Sequence, residues 1–522
     1  MSDNANTLGT APIVVLVLYL FVMIGIGWIG KVSSKEKSLR DFYLGGSSFG
    51  VFVLFLTLFA TQYSGNTMLG FAGRSYREGG TYVVSIMFMV LTITMISLYG
   101  PRLFRLSRAF GYITPADYIY HRFGSHWLRV ICVILLCWGL ANYILEQLVA
   151  MGHAVEGLSG GRIEFMTGVI LLVIVMLIYE TLGGMRSVAW TDAIQGLLLV
   201  GGCSIILYVI LTTDGGLPAA TQAIAAQEGQ SQKLQVPGWS GIRAWFSTLL
   251  LLMFGVSVYP HAIQRFFAAR SLKTLRISLA GMAFMPFFTT LLAFVLGFIA
   301  ISRFTDLSPF ESDQVTLLML LAVINENEFI RWLVIIVFVA LVAAIMSTTD
   351  SALLSIQSMI TKDIYSVYIN PKASQRNLLW SGKVFGWVLI AFLVAMTWVS
   401  QQTESSIWAL IKLKLEFMVQ ISPVFILGLF WRRLSGVTML CGILTGTSIT
   451  LVLWVGAALG YWDTAARSPL GISAGVWGLA VNYSICFVGG LLWPEPGSAK
   501  GAMSAGTTSP TGTADSTGTQ PS

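Results

Sequence analysis

Hydroxyl side chains and one carboxylate are clustered at residues 343–351, inside a long apolar run that reads AAIMSTTDS. Sodium binds about five or six hard oxygen atoms, and hydroxyls together with free carbonyls supply them without excess charge. The cluster therefore predicts half of a sodium site on one helix. The alternative is that each hydroxyl donates to a carbonyl one turn earlier in its own helix.

Two further segments interrupt apolar runs with groups that weaken a helix. Residues 60–67 (ATQYSGNT) bring hydroxyl and amide groups into the middle of an apolar span, and residues 255–261 (GVSVYPH) contain Gly and Pro, which free carbonyls. Lipid offers no hydrogen bonds, so a break is tolerated only where the backbone lines a cavity or is satisfied by neighbours. Both breaks therefore indicate a binding site, the alternative being packing kinks at contacts between small residues.

The elements that must position these residues are apolar helices. The chain has 522 residues, of which 55% are hydrophobic and 11% charged, whereas soluble domains carry about a quarter charged residues. About 13 apolar runs are long enough to cross a bilayer, so the predicted fold class is an all-α polytopic membrane protein with about 13 transmembrane helices. The two interruptions lie five helices apart, which is typical of an inverted five-helix repeat that holds substrate and ion near the midplane.

The expected organisation follows from the positions of these runs. Residues 1–30 are predicted to be an extracellular segment and a leading helix, residues 49–431 the inverted-repeat core, and residues 436–493 two C-terminal helices. Residues 494–522 are rich in Ser, Thr, Gly and Pro and predict a disordered cytoplasmic tail. With the N-terminus outside, most Lys and Arg residues of the connections face the cytoplasm, as expected for a multi-pass protein of the plasma (inner) membrane.

Composition also argues against several classes of protein. The net charge of +7 comes from Lys and Arg residues scattered in short groups between apolar runs, which favours topology determinants over nucleic-acid binding. The four His and five Cys residues have no paired ligand spacing, and no Ser, His and Asp constellation is recognisable, so neither a zinc cluster nor an enzyme is predicted. The expected partners are a small-molecule solute and the lipid bilayer, and the oligomeric state is open.

Four segments together resemble the sodium:solute symporter family, which includes bacterial proline, pantothenate and sugar carriers. They are residues 60–65, 183–195, 260–266 and 343–351, and the most specific is GGMRSVAWTDAIQ at residues 183–195. The resemblance covers about residues 11–493. It implies a ten-helix inverted-repeat core of the leucine-transporter type, with one helix before it and two or more after it. Core helices 1 and 6 would be the two interrupted runs.

The same resemblance implies a sodium site at the break in core helix 1. Carried over to this sequence, the ion would be held by the carbonyls of Ala60 and Tyr63 on core helix 1, the carbonyl of Ala344 and the hydroxyls of Ser347 and Thr348 on core helix 8. Sodium would be the coupling ion, and no other metal or cofactor is expected.

A candidate for a second ion position, or for the exit path of the ion, also follows from the resemblance. Asp192 resembles the family's acidic residue near the cytoplasmic exit, with Ser351 as a further ligand, although Asp192 could instead pair with Arg186. Gln62 departs from the Asp of the proline carriers, and Asp350 departs from a small or hydroxylic residue. Asp350 would replace the lost charge, couple a proton or pair with a cation.

In this architecture the solute lies between core helices 1, 2, 3, 6 and 10, so polar residues there are the candidates for binding it. They are Gln62, Ser64, Asn66 and Thr67; Asn142, Glu146 and Gln147; Ser257 and Tyr259; and Lys412, Lys414, Glu416 and Gln420. Lys412 and Glu416 are four residues apart and could neutralise each other on one helix face. If Lys412 or Lys414 reaches the cavity instead, a carboxylate solute is favoured.

The expected activity is sodium-coupled secondary active symport of a small organic solute by alternating access. A carboxylate or an amino-acid-like solute of the proline or pantothenate type fits best, because no clear match to the residues of a sugar site is found. The alternatives are a proton-coupled symporter of the same fold and a transporter-like sensor that signals through a partner.

Overall fold

The computed structural model describes residues 10–32, 38–213, 215–324, 327–403, 406–461 and 467–494, and this part of the chain contains α-helices and no β-strand. The α-helices are α1 (Ala11–Val32), α2 (Leu39–Leu44), α3 (Val51–Gln62), α4 (Phe71–Glu78), α5 (Ser85–Phe110), α6 (Pro115–Phe123), α7 (His126–Ser159), α8 (Phe165–Thr213), α9 (Gly216–Ala226), α10 (Trp239–Gly255), α11 (Pro260–Ala268), α12 (Leu272–Met282), α13 (Met285–Phe288), α14 (Thr290–Arg303), α15 (Pro309–Ser312), α16 (Val315–Val323), α17 (Glu328–Met359), α18 (Gln375–Gln402), α19 (Ile407–Met418), α20 (Ser422–Phe430), α21 (Gly436–Ala458) and α22 (Ala474–Leu492). Short 3-10 or π-helical segments occupy Gly45–Ser47, Asn66–Gly70, Gly79–Val84, Ser231–Leu234, Val256–Val258, Ile360–Ile369, Val419–Ile421 and Pro469–Gly471.

The predicted fold class, an all-helical polytopic membrane protein, is confirmed. Eleven helical stretches among the described residues are long and apolar enough to cross a membrane. Among them α8 has 49 residues and is kinked at Gly184. At about 1.5 Å per residue its length is more than twice the roughly 30 Å of the hydrocarbon core, so the kink would divide it into two crossings. The exact number of 13 crossings stays a prediction.

Two helices are interrupted where the sequence predicted it. Helix α3 ends at Gln62, and Tyr63 is extended (φ −108°, ψ 98°) before the chain becomes helical again and enters Asn66–Gly70 and α4. The segment Val256–Val258 continues α10, and Tyr259 (φ −58°, ψ 123°) then breaks the helix before α11. Because the last carbonyls of a helix have no intrahelical donor, each break leaves buried carbonyl oxygens open to side chains or ligands, and the hydroxyls of Thr348 and Tyr99 contact two of them.

The leading helix α1 packs closely along α8. At Gly27 an added Cβ would lie 2.5 Å from Cβ of Tyr179, so only a glycine permits this approach. Gln195 on α8 also donates a hydrogen bond of 2.8 Å to the hydroxyl of Tyr19 on α1. The leading helix is therefore part of the same bundle as the core.

Backbone and side-chain contacts join the ends of the interrupted helices to their neighbours. The N–H of Phe49, just before α3, donates to the carbonyl of Ala268 at the end of α11 (3.1 Å). At the end of α4, Arg77 donates a hydrogen bond of 3.2 Å to Asp313. Asp313 also accepts one of 2.6 Å from the backbone N–H of Ile407, which begins α19. These two sets of contacts lie on opposite ends of the interior that contains both breaks.

The predicted division into domains stays a prediction. Residues 1–9 of the N-terminal segment and residues 495–522 of the predicted disordered tail lie outside the described residues.

Candidate functional site

The break in α3 lies against the hydroxyl cluster of α17. Thr348 Oγ1 is 3.4 Å from the carbonyl oxygen of Ala60 and 3.2 Å from that of Ala344, and all three residues are fully buried. Oxygen atoms from two helices thus converge on one point. Tyr63 lies at the break itself, three residues beyond Ala60 and also fully buried. Three of the five predicted sodium ligands are therefore in direct contact.

The remaining predicted ligand, Ser347, connects this point to a buried carboxylate. Its Oγ donates a hydrogen bond of 2.7 Å to Oδ1 of Asp192 on α8. The Oδ2 atom of Asp192 accepts from Arg265 Nη2 (2.7 Å) and from the hydroxyl of Thr57. Asp192 and Arg265 are both completely buried. A carboxylate and its counter-ion thus lie directly beside the predicted ion position.

Arg265 on α11 is the partner that the sequence did not assign to Asp192. The alternative in which Asp192 pairs with Arg186 is not seen, because Arg186 forms its ion pair with Asp41 at 2.6 Å. The Arg265 guanidinium also donates to Ser351 on α17. Two of the residues predicted for a second ion, Asp192 and Ser351, are therefore joined through a guanidinium.

Asp350, the third residue of that group, faces a different neighbour. Its Oδ2 atom accepts a hydrogen bond of 2.7 Å from the hydroxyl of Tyr179, and its Oδ1 accepts one of 3.1 Å from Ser351. Within the described residues no basic side chain lies within the 4.0 Å of an ion pair with it. Pairing with a protein cation, one of the three predicted roles of Asp350, is therefore not seen.

A small cavity lies on the other side of the α3 break. Its volume is about 30 Å³, which is the space of about one water molecule. Its polar lining comes from Gln62, Ser64, Asn66, Thr67, Tyr143, Tyr259 and Lys414, and its apolar lining from Phe71, Met89, Leu252, Val256 and Ile411. These side chains are all buried. A solute larger than water would have to open the cavity as it binds.

Six of the residues named as candidates for binding the solute line this cavity, namely Gln62, Ser64, Asn66, Thr67, Tyr259 and Lys414. All of them except Lys414 had the same sequence signal: a polar side chain at a break in an apolar helix.

The other predicted solute residues lie outside the lining. Asn142 donates to the Leu410 carbonyl (2.8 Å) and to Glu146, and Gln147 is buried with neither amide atom hydrogen-bonded among the described residues. The hydroxyl of Ser257 donates to its own helix at Phe254, and Gln420 donates to the carbonyl of Gly475 in the first turn of α22. Lys412 pairs with Glu416 at 3.7 Å, which confirms the pairing predicted from their spacing.

Two polar lining residues, Lys414 and Tyr143, had weaker signals in the sequence. Consecutive helical residues are about 100° apart, so residues 412 and 414 point about 200° apart. Because Lys412 and Glu416 occupy one face of α19, Lys414 must face nearly the opposite way, toward the cavity. Tyr143 had no comparable signal, since an aromatic residue in an apolar helix is usually part of the packing.

The chain is similar to known proteins over most of its length. The model of the sodium:solute symporter family matches residues 42–446. The chain is 26% identical over 473 residues to the sodium/proline symporter of Escherichia coli strain K12, covering 86% of this chain and 88% of that protein. It is 27% identical over 445 residues to the high-affinity proline transporter PutP of Bacillus subtilis strain 168, covering 83% and 90%. It is also 25% identical to the sodium/glucose cotransporter of Vibrio parahaemolyticus, covering 87% of each.

Solved structures show the same fold. A Na+-coupled sialic acid symporter in a substrate-bound outward-open state matches with a TM-score of 0.74 and 19% identity, covering 93% of this chain and 99% of that one. MhsT in complex with L-phenylalanine matches with a TM-score of 0.54 and 14% identity, covering 84% and 96%. The predicted leucine-transporter-type fold, with broken core helices 1 (α3 and α4) and 6 (α10 and α11), is thereby confirmed. The relatives are transporters, and the chain belongs to the sodium:solute symporter family.

Proposed function

We propose that the protein imports a small organic solute by alternating access, driven by sodium held between the break in α3 and the hydroxyl cluster of α17. The observation that carries the proposal is the approach of Thr348 Oγ1 to the carbonyls of Ala60 and Ala344, which come from two different helices. Hard, neutral oxygen atoms of this kind suit a monovalent hard cation.

The donor set of this site is sufficient for sodium. The ligands are the carbonyls of Ala60, Tyr63 and Ala344 and the hydroxyls of Ser347 and Thr348. Ala60 lies in the last turn of α3, where carbonyls have no intrahelical donor, and it is fully buried. Among the described residues, the one side-chain contact of its carbonyl is the long one of 3.4 Å with Thr348. A buried carbonyl that is weakly bonded is unfavourable, so an ion that binds there stabilises the break.

The ion and the solute are coupled through the segment that they share. Tyr63, a sodium ligand in this proposal, is flanked by Gln62 and Ser64, which line the cavity. Sodium that orders this segment also completes the solute site, so each ligand raises the affinity of the other. The membrane potential adds about 2.3 kcal/mol per charge for each 100 mV.

The remaining features of the proposal concern the solute, the path of the ion and the membrane. Several relatives are proline transporters, so an amino-acid-like or carboxylate solute of the proline or pantothenate type is proposed.

After the carrier rocks inward, sodium leaves past Asp192, which lies 2.7 Å from the Ser347 hydroxyl. Ser351 and Asp350 lie beside this path. The protein lies in the cell membrane with its N-terminus outside and its C-terminus in the cytoplasm.

The test compares the melting temperature of the purified protein in sodium chloride and in choline chloride. We expect a rise that is specific to sodium, because a ligand at about 100 times its Kd stabilises the native state by about 2.7 kcal/mol. The double variant Ser347→Ala with Thr348→Ala should lose this rise.

The matched control is Thr349→Ala, which removes a buried hydroxyl from the same helix. Thr349 Oγ1 donates to Ile345 in its own helix (2.8 Å) and so does not take part in the site. This variant should keep the sodium response. No sodium response in the wild type, or a response that survives in the double variant, would reject the proposed ion site.

A further inference from the structure

A buried ion pair lies at the cavity, and the sodium site proposed above does not use it. Lys414 Nζ on α19 is 2.6 Å from Glu146 Oε2 on α7, and each side chain is at most 1% exposed. Lys414 is part of the cavity lining, and Glu146 lies directly behind it. A solute that enters the cavity therefore meets the ammonium of Lys414, with the carboxylate of Glu146 2.6 Å beyond it.

Both members of the pair are held in position by neutral groups. The amide of Asn66, a lining residue, donates to Oε2 of Glu146, and the amide of Asn142 donates to Oε1 at 3.2 Å. The ammonium of Lys414 lies 3.5 Å from the centre of the Tyr143 ring, which stabilises a cation over its face. The site therefore offers a fixed carboxylate, a fixed ammonium and an aromatic surface that accepts a cation.

Unsatisfied polar atoms in the lining indicate a ligand that has both donors and acceptors. Gln62 and Asn66 are more than nine-tenths buried, and among the described residues Nε2 of Gln62 and Oδ1 of Asn66 have no hydrogen-bond partner. Buried polar atoms are nearly always hydrogen-bonded, so an unpaired donor and an unpaired acceptor in one small cavity require an explanation. A solute with an anionic and a cationic end supplies both missing partners.

Stability alone does not account for the pair. Replacing a buried ion pair by apolar residues of similar volume is often neutral or stabilising, because desolvation offsets the attraction. Removing only one charge is strongly unfavourable, since the other remains buried without its partner. The same rule applies to ligands: an anion that captured Lys414 would leave Glu146 unpaired, and a cation that captured Glu146 would leave Lys414 unpaired.

We propose that the Glu146 and Lys414 pair is the recognition site for a zwitterion, and specifically for a short amino acid. This inference rests on the proposed symport function. The solute opens the pair and inserts between its charges, so that its carboxylate binds Lys414 and Gln62 Nε2. Its ammonium binds Glu146, Asn66 Oδ1 and the face of Tyr143. Both protein charges remain paired, which selects an amino acid over a simple carboxylate.

The first experiment measures ligand affinity by thermal stabilisation of the purified full-length protein in saturating sodium. The probes are the twenty standard amino acids, followed by the N-acetyl and amide derivatives of the best one. We expect at least one amino acid to stabilise the protein in a saturable manner, and each derivative, which lacks one charge, to bind at least about 100-fold more weakly. An N-acetyl derivative that binds equally well, or no response to any amino acid, would overturn the proposal.

The second experiment uses variants that keep buried charges balanced. The double variant Glu146→Gln with Lys414→Gln should lose amino-acid affinity by at least about 100-fold and keep the sodium-specific rise in melting temperature. The control combines Lys412→Gln with Glu416→Gln, which removes the pair on the other face of α19 and should leave binding of the amino acid normal. Unchanged affinity in the variant that lacks Glu146 and Lys414 rules out this recognition site. If the wild type shows no sodium-specific rise in melting temperature, the symport proposal is contradicted instead. The two failures are therefore distinguishable.

Discussion

Arg265 connects four helices around the predicted sodium position. Its Nε donates to Thr57 on α3 (2.8 Å), its Nη1 to the carbonyl of His261 on α11 (3.0 Å) and its Nη2 to Asp192 on α8 and to Ser351 on α17. A guanidinium can do this because its donors form a rigid planar fork. A second sodium ion at Asp192 and Ser351 would have to displace a charge that the protein already supplies.

At the residue scale we predict that Asp192→Asn lowers the free energy of unfolding by about 3–5 kcal/mol, because it leaves the guanidinium of Arg265 buried without a counter-ion. Reversible unfolding in mixed micelles measures this loss. Asp41→Asn is the matched control, because it breaks a comparable ion pair with Arg186, whose side chain is 20% exposed and reaches water. The control should lose clearly less stability. An equal or smaller loss for Asp192→Asn would show that this pair is not ionised as described.

Helix α8 turns sharply at one residue, and that turn positions Asp192. Gly184 has φ 54° and ψ −145°, a conformation that glycine adopts readily and other residues rarely adopt. A Cβ there would also lie 2.7 Å from the carbonyl oxygen of Phe42. The kink thus sets the direction of the second half of α8, which contains both Asp192 and Gln195.

At the element scale we predict that Gly184→Ala destabilises the protein by at least about 1–3 kcal/mol, the range for a residue held in a strained backbone conformation. Gly201→Ala is the control, because a Cβ at this position of the same helix meets no atom within 4 Å. It should leave stability unchanged or raise it by up to about 1 kcal/mol, since alanine favours helix interiors. Thermal unfolding of both variants in one detergent provides the comparison. Equal effects would mean that the kink is not strained for alanine.

Local signals account for the breaks in α3 and α10, because polar residues, Gly and Pro inside apolar runs are unusual in lipid. Other local irregularities have no such signal. The π-helical segments Asn66–Gly70 and Ile360–Ile369 were not predicted, since their residues are compatible with an ordinary helix and their geometry depends on packing.

At the scale of the whole molecule, a solute can reach the cavity only if helices that contact each other at one end move apart. Asp313, in the connection between α14 and α17, joins Arg77 at the end of α4 to the start of α19. Burial raises the pKa of Asp313 to about 6, although the nearby Arg77 lowers it. Opening would expose the carboxyl group to water, where its pKa is about 3.9.

We therefore predict that acid favours the form in which Asp313 is buried. In that form the carboxyl group of Asp313 has the higher pKa and so binds a proton more readily. Lowering the pH from 7.5 to 5 should therefore shift the equilibrium toward the buried form by about tenfold. Labelling of Thr67→Cys, a position in the cavity lining, by a membrane-impermeant thiol reagent measures the opening.

The control is the same labelling in the Asp313→Asn background. Thiol reactivity itself falls at low pH, so the informative quantity is the labelling rate with Asp313 present divided by the rate in the Asp313→Asn background. This ratio should fall as the pH is lowered. A constant ratio would show that Asp313 does not titrate with opening.

The sequence by itself determined the membrane class, the two broken helices, the family and the hydroxyl cluster at residues 343–351. These are local consequences of a solvent that demands apolar runs and satisfied backbone groups. Only the tertiary structure decided that Asp192 pairs with Arg265, 73 residues away, and that Glu146 pairs with Lys414, 268 residues away. The physical reason is that such pairs depend on how each helix is rotated and kinked against the others. Packing between distant elements sets those angles, and no local pattern records them.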